Sequence, residues 1–449
     1  MSQINLKRNI LLSGSFRVAV MILTFVTSVI STRYLGVELK GKLSYLTTLS
    51  GFIWVVLDMG LYRSFPYLVR KFPDKIGSMF GWTIIQFIFD TVALLILGFS
   101  LLPIWNAVIG YTFSPLYIMF FICMITFPQL AMQLQSLYLG LNKIWKHSFA
   151  QIINSMLMLI LVVIGYFFVN KIDRLAYIII ATMFGSMVCI IYYTLNHDWQ
   201  KALKSIDFRF ILSSYKSGFR VFLSTLFIIL LIRFDIIIIK RMLDFKQVGI
   251  YSLAAHIVDL LQVASNLVGG LLLVKLSDSD ADIEKWKIMK KLLMSFFVIL
   301  CVANLGFVIL GKFLIATLYG VQFVPVYYAY LWLIPASLGL SFGSLFNMYL
   351  NSKGFPIISI ILPAIALIVN VMLNFILIPY MGIYGSALAT SVAYVLWFVM
   401  IIAYEQRCSN GQMFKHLVPD SADWRALWQE TLLLASDTKQ KLLNYRMKK

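Results

Sequence analysis

The sequence is poor in the side chains on which most enzymes depend. Its 449 residues include four cysteines and four histidines, and charged residues make up 13% of the chain. Three of the cysteines lie inside apolar runs, and none has the spacing of a zinc site or a CxxC pair, so we expect no metal or redox role. The sequence has no GxxxxGKS or GxxxxGKT phosphate-binding loop and no polar segment long enough for a soluble catalytic domain. We therefore expect neither an enzyme nor a primary active transporter.

Hydrophobic residues are in large excess, at 61% of the chain, whereas soluble domains are about 45–50% apolar. The apolar runs are about twenty residues long and do not alternate with polar residues, which predicts transmembrane helices rather than barrel strands. The first run follows Lys7 and Arg8, but it is too long for a signal peptide and has no A-x-A-like cleavage site. The predicted fold class is an all-α integral membrane protein.

The hydrophobic pattern predicts twelve transmembrane helices. An even number of spans places both termini on one side, and roughly three-quarters of the basic residues fall in the tails and the even-numbered loops on that side, which is therefore cytoplasmic. The formal charge of +19 is explained by these loops, so we expect no nucleic-acid partner. The spans are predicted at residues 10–32, 43–69, 79–102, 115–140, 150–169, 175–195, 218–240, 249–274, 292–315, 327–350, 357–379 and 384–404.

The predicted domains are an N-terminal six-helix lobe (1–196), a cytoplasmic linker between lobes (197–217), a C-terminal six-helix lobe (218–404) and a cytoplasmic tail (405–449). Six helices restore the starting orientation, so a six-helix duplication gives parallel repeats. Gly41 to Tyr45 before span two resembles Gly249 to Leu253 before span eight, which supports such a duplication.

The tail contains one predicted amphipathic helix. Pro419, Asp420 and Ser421 form a typical helix start, and Trp424 and Trp428 follow at helical spacing. We expect this helix to rest on anionic lipid at the membrane surface. The alternative is a helix that binds a partner protein.

Charged residues inside the apolar spans are the main functional candidates. Span seven contains Arg233 and Asp235, and a charged residue at the membrane centre costs about 2.5–3.5 kcal/mol on insertion scales. Residues i and i+2 point in different directions on a helix, so these two need separate partners or ligands. Binding of a ligand and structural pairing are both open at this point.

Polar faces run along spans one, two and eight. Span one has Ser13, Arg17, Thr24, Ser28 and Ser31 on one face, which indicates that this face is turned away from lipid. In spans two and eight, Asp58 and Asp259 lie near mid-span on similar faces. Each carboxylate could pair with an arginine in the protein interior, couple to a proton or contact a ligand. For Arg63 and Arg17 the alternative to a functional role is that the side chain snorkels to the lipid headgroups.

Several arginines and aspartates inside two related bundles predict a polar cavity with a net positive charge. Such a cavity suits an anionic or sugar-rich substrate better than a cationic drug. The candidate substrate-binding residues are Arg17, Arg63, Arg233, Asp58, Asp235 and Asp259, and no metal ligand is among them.

The segment from Val369 to Thr390 resembles a known family motif, N-x-x-LN-x-x-LIP-x-x-G-x-x-G-A-A-x-AT. This motif belongs to polysaccharide and lipid-linked oligosaccharide flippases of the multidrug/oligosaccharidyl-lipid/polysaccharide exporter superfamily. Physically, we expect Pro379 to stop the helix and two glycines to form the turn after it. Residues 32–61, and residues 233–259 with Arg233-Phe234-Asp235, resemble two further family blocks, although Asp259 stands where glutamate is commoner. The resemblance covers about residues 1–405.

This resemblance implies a V-shaped pair of lobes that works by alternating access. The implied substrate is a polyprenyl-pyrophosphate-linked oligosaccharide repeat unit for O-antigen, capsule or exopolysaccharide, moved from the cytoplasmic to the outer leaflet of the bacterial cytoplasmic membrane. Arg17, Arg233 and Arg63 would hold the pyrophosphate. Asp58, Asp235 and Asp259 would balance these charges and carry a coupling proton or sodium ion. Beyond that gradient no cofactor is implied, and the implied partners are the substrate, membrane lipids and polysaccharide polymerase or assembly proteins.

Two other functions stay open at this point. A cation-coupled multidrug antiporter of the same superfamily shares the twelve-helix plan, but its cavity should be dominated by carboxylates. A membrane scaffold for a polysaccharide-assembly complex would use the tail for docking, so deletion of residues 410–449 should abolish its function. Peptidoglycan-precursor flippases usually have two more helices than the twelve that we predict.

Overall fold

The computed structural model describes residues 3–101, 115–169, 173–195, 199–278, 282–353 and 356–429. Within these ranges the regular structure is helical and contains no strand. The first half of the chain also contains a 3-10 turn at Pro73–Lys75. Up to residue 242 the described helices are α1 (Gln3–Asp58), α2 (Leu61–Lys71), α3 (Ile76–Ser100), α4 (Pro115–Gly140), α5 (Ile144–Phe168), α6 (Arg174–Thr194), α7 (Trp199–Lys204) and α8 (Phe208–Met242).

The remaining helices begin at residue 245. A second 3-10 turn is formed by Val321–Phe323. Residues 421–429 are helical and are called α15 here. The other helices are α9 (Phe245–Asp278), α10 (Asp282–Leu318), α11 (Pro325–Ser352), α12 (Ile358–Met381), α13 (Ile383–Cys408) and α14 (Gln412–Leu417).

Ten of the described helical stretches are long and apolar enough to cross a membrane. One of them, Val18–Lys71, covers residues 18–32 of the first predicted span and all of the second. The eighth predicted span corresponds to α9. With these two assignments the stretches agree with the predicted twelve spans, and the all-α integral membrane class is confirmed.

The first two predicted spans differ from the structure at their boundaries. α1 comprises two helices joined at a kink, where Gly36 has φ 73°, and this kink lies between the first two predicted spans. The second predicted span, 43–69, is interrupted between α1 and α2, where Met59 and Gly60 have φ 46° and 85°. A left-handed backbone is readily adopted by glycine, so Gly60 ends the helix inside the apolar run.

The described chain divides into two compact units. The first unit is Met1–Ser252 with Ile315–Pro325, and the second is Leu253–Leu314 with Val326–Lys449. The predicted division into lobes 1–196 and 218–404 with a linker and a tail stays a prediction. The segment predicted as linker is largely helical, because α7 lies within it and α8 begins at Phe208 and continues without a break into span seven.

The core of the first unit surrounds the short helix α2. Its apolar face, including Leu61 and Phe65, is fully buried against α3 and α4, which contribute Phe80 and Leu134. Between membrane helices such packing is favoured by van der Waals contact, since lipid tails are as apolar as the side chains. The packing of α2 therefore places the residues beside the Met59–Gly60 break in a fixed position.

Glycines also bring α1 and α9 into backbone contact within the first unit. A Cβ atom on Gly41 would overlap the carbonyl oxygen of Phe245, and one on Gly249 would overlap the carbonyl oxygen of Val37. The contact is thus reciprocal between the two segments whose sequences resemble each other. A hydrogen bond of 2.9 Å joins the Ser44 and Ser252 hydroxyls one turn further on.

In the second unit, α12 and α13 pack closely around buried amides. Asn370 forms an interhelical hydrogen bond, with its Nδ2 3.3 Å from Thr390 Oγ1. Asn374 instead donates to the carbonyl of Asn370 within its own helix, at 2.9 Å.

The prediction that Pro379 stops this helix is wrong. The helix continues to Met381 and ends at Gly382 with φ 57°, because proline removes only one helical donor whereas the glycine reverses the backbone.

The tail helix α15 begins where the sequence predicts. Asp420 Oδ1 accepts a hydrogen bond from the backbone N–H of Asp423 at 2.7 Å, and Asp423 Oδ2 accepts one from that of Asp420 at 3.0 Å. This reciprocal arrangement is a capping box. Asp423 also pairs with Lys290 of α10 at 2.6 Å, so the start of α15 is attached to the second unit.

Candidate functional site

The helix break after Asp58 creates the clearest candidate site in the first unit. Asp58 is the last residue of α1 and only 5% of its surface is exposed. Because Met59 and Gly60 redirect the chain, the carboxylate accepts the backbone N–H of Tyr62, with N–O distances of 3.1 and 3.2 Å. Asp58 thus holds the first turn of α2 by a side-chain hydrogen bond, as helix-capping carboxylates do.

Two glutamines extend this site across α3 and α4. Gln133 Nε2 donates to Asp58 Oδ1 at 2.9 Å and lies 3.2 Å from Gln86 Oε1. The amide of Gln86 in turn donates to the carbonyl of Leu57 at 2.8 Å. The three side chains form a closed hydrogen-bond network that begins and ends at the C-terminal turn of α1.

A second polar contact lies one helical turn away along α3 and α4. Gln129 Nε2 donates to Asp90 Oδ2 at 2.8 Å, and both residues are buried. Asp90 is four residues after Gln86, and Gln129 is four residues before Gln133, so the contacts are consecutive on two antiparallel helices. We call Asp58, Gln86, Asp90, Gln129 and Gln133 the carboxylate–glutamine ladder.

Arg63 lies on α2, five residues after Asp58. Its side chain is exposed, and in the part of the chain that the structure describes no carboxylate lies within ion-pair distance of it. The charges of Arg63 and Asp58 still influence each other. Arg63 is therefore a cation beside the ladder without an ion-pair partner among the described residues.

Asp235 occupies a separate polar site on α8. It is 1% exposed, and it accepts hydrogen bonds from the Tyr251 hydroxyl of α9 and from the backbone N–H of Ile236. The Tyr251 contact joins the two helices that the predicted family block covers. Arg233, two residues earlier, is half-buried.

The other two predicted residues are Asp259 and Arg17. Asp259 is half-buried on α9 and belongs to the second unit. The side chain of Arg17 lies outside the described residues. Of the six predicted residues, then, the structure places Asp58 and Arg63 around one helix break and Asp235 in a contact with Tyr251.

Sequence reasoning missed most of the ladder. The sequence did not predict Gln86, Asp90, Gln129, Gln133 or Tyr251 as substrate-binding residues. A signal was present, because the two α4 glutamines are spaced i, i+4 inside an apolar span, where amides need internal partners. Among the residues that the structure describes, no group of three potential metal ligands is clustered.

A family comparison supports the predicted relationship. The model of the family described as "Polysaccharide biosynthesis protein" matches residues 6–274. This chain belongs to the polysaccharide biosynthesis protein family. The family match includes the ladder, Arg63, Arg233, Asp235 and Asp259, whereas the motif at 369–390 lies beyond it. No curated protein matches the chain significantly.

Solved structures with a similar fold are membrane transporters. "Lipid II flippase MurJ" in an inward closed conformation matches with a TM-score of 0.69 and 15% identity, over 94% of this chain and 91% of that one. An inward-facing multidrug resistance MATE transporter of the MOP superfamily also has a TM-score of 0.69, with 14% identity over 86% and 95% of the two chains. A Vibrio cholerae MATE transporter, VcmN in the bent form, has 0.61 and 11% identity over 92% and 99%. This polysaccharide biosynthesis protein therefore has the fold of the multidrug/oligosaccharidyl-lipid/polysaccharide exporter superfamily.

Proposed function

We propose that this protein is a flippase, not an enzyme, and that it moves a polyprenyl-pyrophosphate-linked oligosaccharide repeat unit from the cytoplasmic to the outer leaflet. The product would supply synthesis of a cell-surface polysaccharide such as O-antigen, capsule or exopolysaccharide. The observation that carries this proposal is the polysaccharide biosynthesis match over residues 6–274. The protein would lie in the bacterial cytoplasmic membrane with both termini inside, as the basic loops favour.

Arginines are the proposed anchors of the substrate. Guanidinium groups donate two parallel hydrogen bonds to phosphate oxygens, so Arg17, Arg63 and Arg233 are suited to a pyrophosphate. Arg63 has the strongest structural support, because it is exposed and without an ion-pair partner among the described residues. In this scheme the sugars occupy a polar cavity and the lipid tail stays in the bilayer.

The proposed coupling groups are Asp58, Asp235 and Asp259. Asp58 is best supported, because it is buried and its described hydrogen-bond partners, Gln133 and the backbone of Tyr62, are uncharged. Uptake of a proton or a sodium ion there changes the local charge by one unit beside Arg63. Such a change alters how strongly Arg63 attracts a pyrophosphate, which links ion movement to substrate movement.

The MATE transporter matches favour a second candidate, a cation-coupled multidrug antiporter. The two candidates differ in the charge that the substrate must carry. Loss of Arg63 should weaken binding of a pyrophosphate lipid, whereas it should not weaken transport of a cationic dye. A scaffold function for assembly proteins or a polymerase would depend on the tail rather than on Arg63.

The test is flipping of a fluorescent polyprenyl-pyrophosphate oligosaccharide in proteoliposomes. Wild type is compared with Arg63→Ala, with Arg233→Ala and with a matched control, Arg70→Ala, an exposed arginine two turns further along α2. The proposal expects flipping by wild type and the control, and a loss of at least about tenfold in the two site variants. Dye efflux without any flipping by wild type would instead identify an antiporter.

A further inference from the structure

A cavity in the first unit lies outside the ladder. Its volume is about 570 Å³, and it is located where the start of α8 passes the break between α1 and α2. Such a volume accommodates part of a lipid-sized ligand. Its lining residues are Met59, Arg209, Leu212, Ser213, Tyr215, Lys216 and Phe219. We call it the α8 pocket.

The α8 side of the pocket is one helical face with both apolar and basic residues. Arg209, Leu212, Lys216 and Phe219 recur at spacings of three and four residues, so they line up along the helix. All four are exposed, Leu212 to 72% and Phe219 to 48%. Two cations about two turns apart thus flank a large apolar surface, which suits a ligand with an anionic group and a hydrocarbon chain.

The carboxylate closest in sequence to the two cations of the pocket has other partners. The nearby carboxylate, Asp207, accepts a hydrogen bond from Lys75 at 2.9 Å and another from the backbone N–H of Phe210 at 3.1 Å. The hydrogen bond from Lys75 holds the pKa of Asp207 below its usual range, so this carboxylate is ionised and already paired. Within the described ranges, neither Arg209 nor Lys216 forms an ion pair.

The position of the pocket relates it to the membrane boundary. Residues 208–217 immediately precede the candidate span Gly218–Met242 within the same helix. A helical segment directly before a span lies at the depth of lipid headgroups and upper acyl chains. Arginine and lysine side chains at that depth bind phosphate groups of acidic lipids.

We propose that the α8 pocket binds one acidic phospholipid of the surrounding membrane. Arg209 and Lys216 contact the phosphate, and an acyl chain lies against Leu212, Phe219 and Met59. The wall behind it is fixed, because the Tyr215 hydroxyl accepts a hydrogen bond of 3.0 Å from Trp82 of α3. Met59 is adjacent to Asp58, so a bound lipid contacts the helix break that forms the candidate site. This assignment does not depend on which substrate the protein carries.

The test measures lipid binding to the purified full-length protein in neutral detergent. Pyrene-labelled phosphatidylglycerol is the probe, and quenching of its emission on titration gives the affinity. The double variant Arg209→Gln/Lys216→Gln should bind it about tenfold more weakly, equivalent to about 1.4 kcal/mol. Lys204→Gln, which removes an exposed lysine of the neighbouring helix α7 that does not line the pocket, should bind as wild type does.

A second variant distinguishes a loss of lipid binding from a folding defect. Leu212→Glu places a carboxylate at a 72% exposed position and should repel the phosphate without disturbing the core. Three results would overturn the proposal: equal binding of pyrene-labelled phosphatidylcholine, unchanged binding by both variants, or displacement of the probe by inorganic phosphate at millimolar concentration. A polyprenyl phosphate that excludes phosphatidylglycerol from the pocket would likewise reject a membrane phospholipid as its ligand.

Discussion

Buried carboxylates have different surroundings in the two units of the molecule. In the first unit, Asp58 and Asp90 are held by the side-chain amides of Gln133 and Gln129. In the second unit, Glu405 is 1% exposed and accepts a hydrogen bond of 2.8 Å from the ammonium group of Lys353. The same chemical group is thus surrounded by neutral donors in one place and paired with a cation in the other.

A buried carboxylate held by amides and one paired with a cation are suited to different roles. Burial alone lowers the pKa of Lys353, but its hydrogen bonds with Glu405 and Tyr349 outweigh this effect and raise the pKa above its ordinary value. Lys353 therefore stays charged and holds α13 to the end of α11. A carboxylate held by amides can exchange an ion without losing its position, because the amides stay in place. The ladder is therefore suited to ion coupling, and the Glu405 pair is suited to stabilising the fold.

The largest expected effect comes from removal of one partner of the ion pair. Lys353→Met leaves Glu405 buried without its cation and should destabilise the protein by about 3 kcal/mol. Thermal unfolding in detergent measures this change. The double variant Lys353→Met/Glu405→Gln, which removes both charges, should recover most of the loss. If the single variant is as stable as wild type, the pair is not a structural contact.

A smaller effect is expected from a break in the ladder. Gln133→Leu removes the donor to Asp58 and the contact with Gln86, and should cost about 1–3 kcal/mol because buried polar atoms lose their partner. Gln135→Leu is the matched control. Gln135 is half-buried on the same helix, and its side chain forms no hydrogen bond in the described structure. Equal unfolding temperatures for the two variants would contradict a stabilising role of Gln133.

Neutralisation of Asp58 should lower the stability of the protein less than Lys353→Met or Gln133→Leu does. Asp58→Asn keeps an oxygen that accepts from Gln133 and loses part of the contact with the Tyr62 N–H, so about 0.5–1.5 kcal/mol is expected. The measurement is again thermal unfolding, beside Lys353→Met. A loss for Asp58→Asn as large as that for Lys353→Met would remove the distinction between the two kinds of carboxylate.

The smallest effect concerns the ion pair of Lys290 with Asp423, which is partly open to solvent. The hydrogen bond from Lys290 holds the pKa of Asp423 below its usual range. A depressed carboxyl pKa contributes stability that is present at neutral pH and is lost as the pH falls through the folded-state value. Amide exchange in α15 should therefore speed up in acid. Asp423→Asn should show the faster exchange already at neutral pH, with no further acid dependence from this pair.

Much of the fold follows from the sequence because membrane spans are encoded locally. Runs of about twenty apolar residues must form helices in lipid, so the twelve spans were predictable, and so was the start of α15 at Asp420. Gly41 and Gly249 were recognised as equivalent positions, but the sequence could not show that they contact each other. The break at Gly60 was missed because the predicted span 43–69 continues across it, whereas Gly36 lies between the first two predicted spans.

The candidate site was less predictable because its contacts join distant parts of the chain. Asp58 and Gln133 are 75 residues apart, and no local pattern shows which amide a carboxylate will meet. Asp235 was predicted as a site residue, but its contact with Tyr251 depends on which faces α8 and α9 turn toward each other. The sequence identifies charges that need a partner in an apolar span, and only the packing identifies the partner.

The most direct test of the account compares Asp58→Asn with Lys353→Met/Glu405→Gln in proteoliposomes. The measurement is flipping of a fluorescent polyprenyl-pyrophosphate oligosaccharide with and without an imposed proton or sodium gradient. We predict that Asp58→Asn, although folded, loses the acceleration by the gradient, whereas the double variant keeps it. Gradient-driven flipping that survives in Asp58→Asn and disappears in the double variant would contradict the assignment of coupling to the first unit.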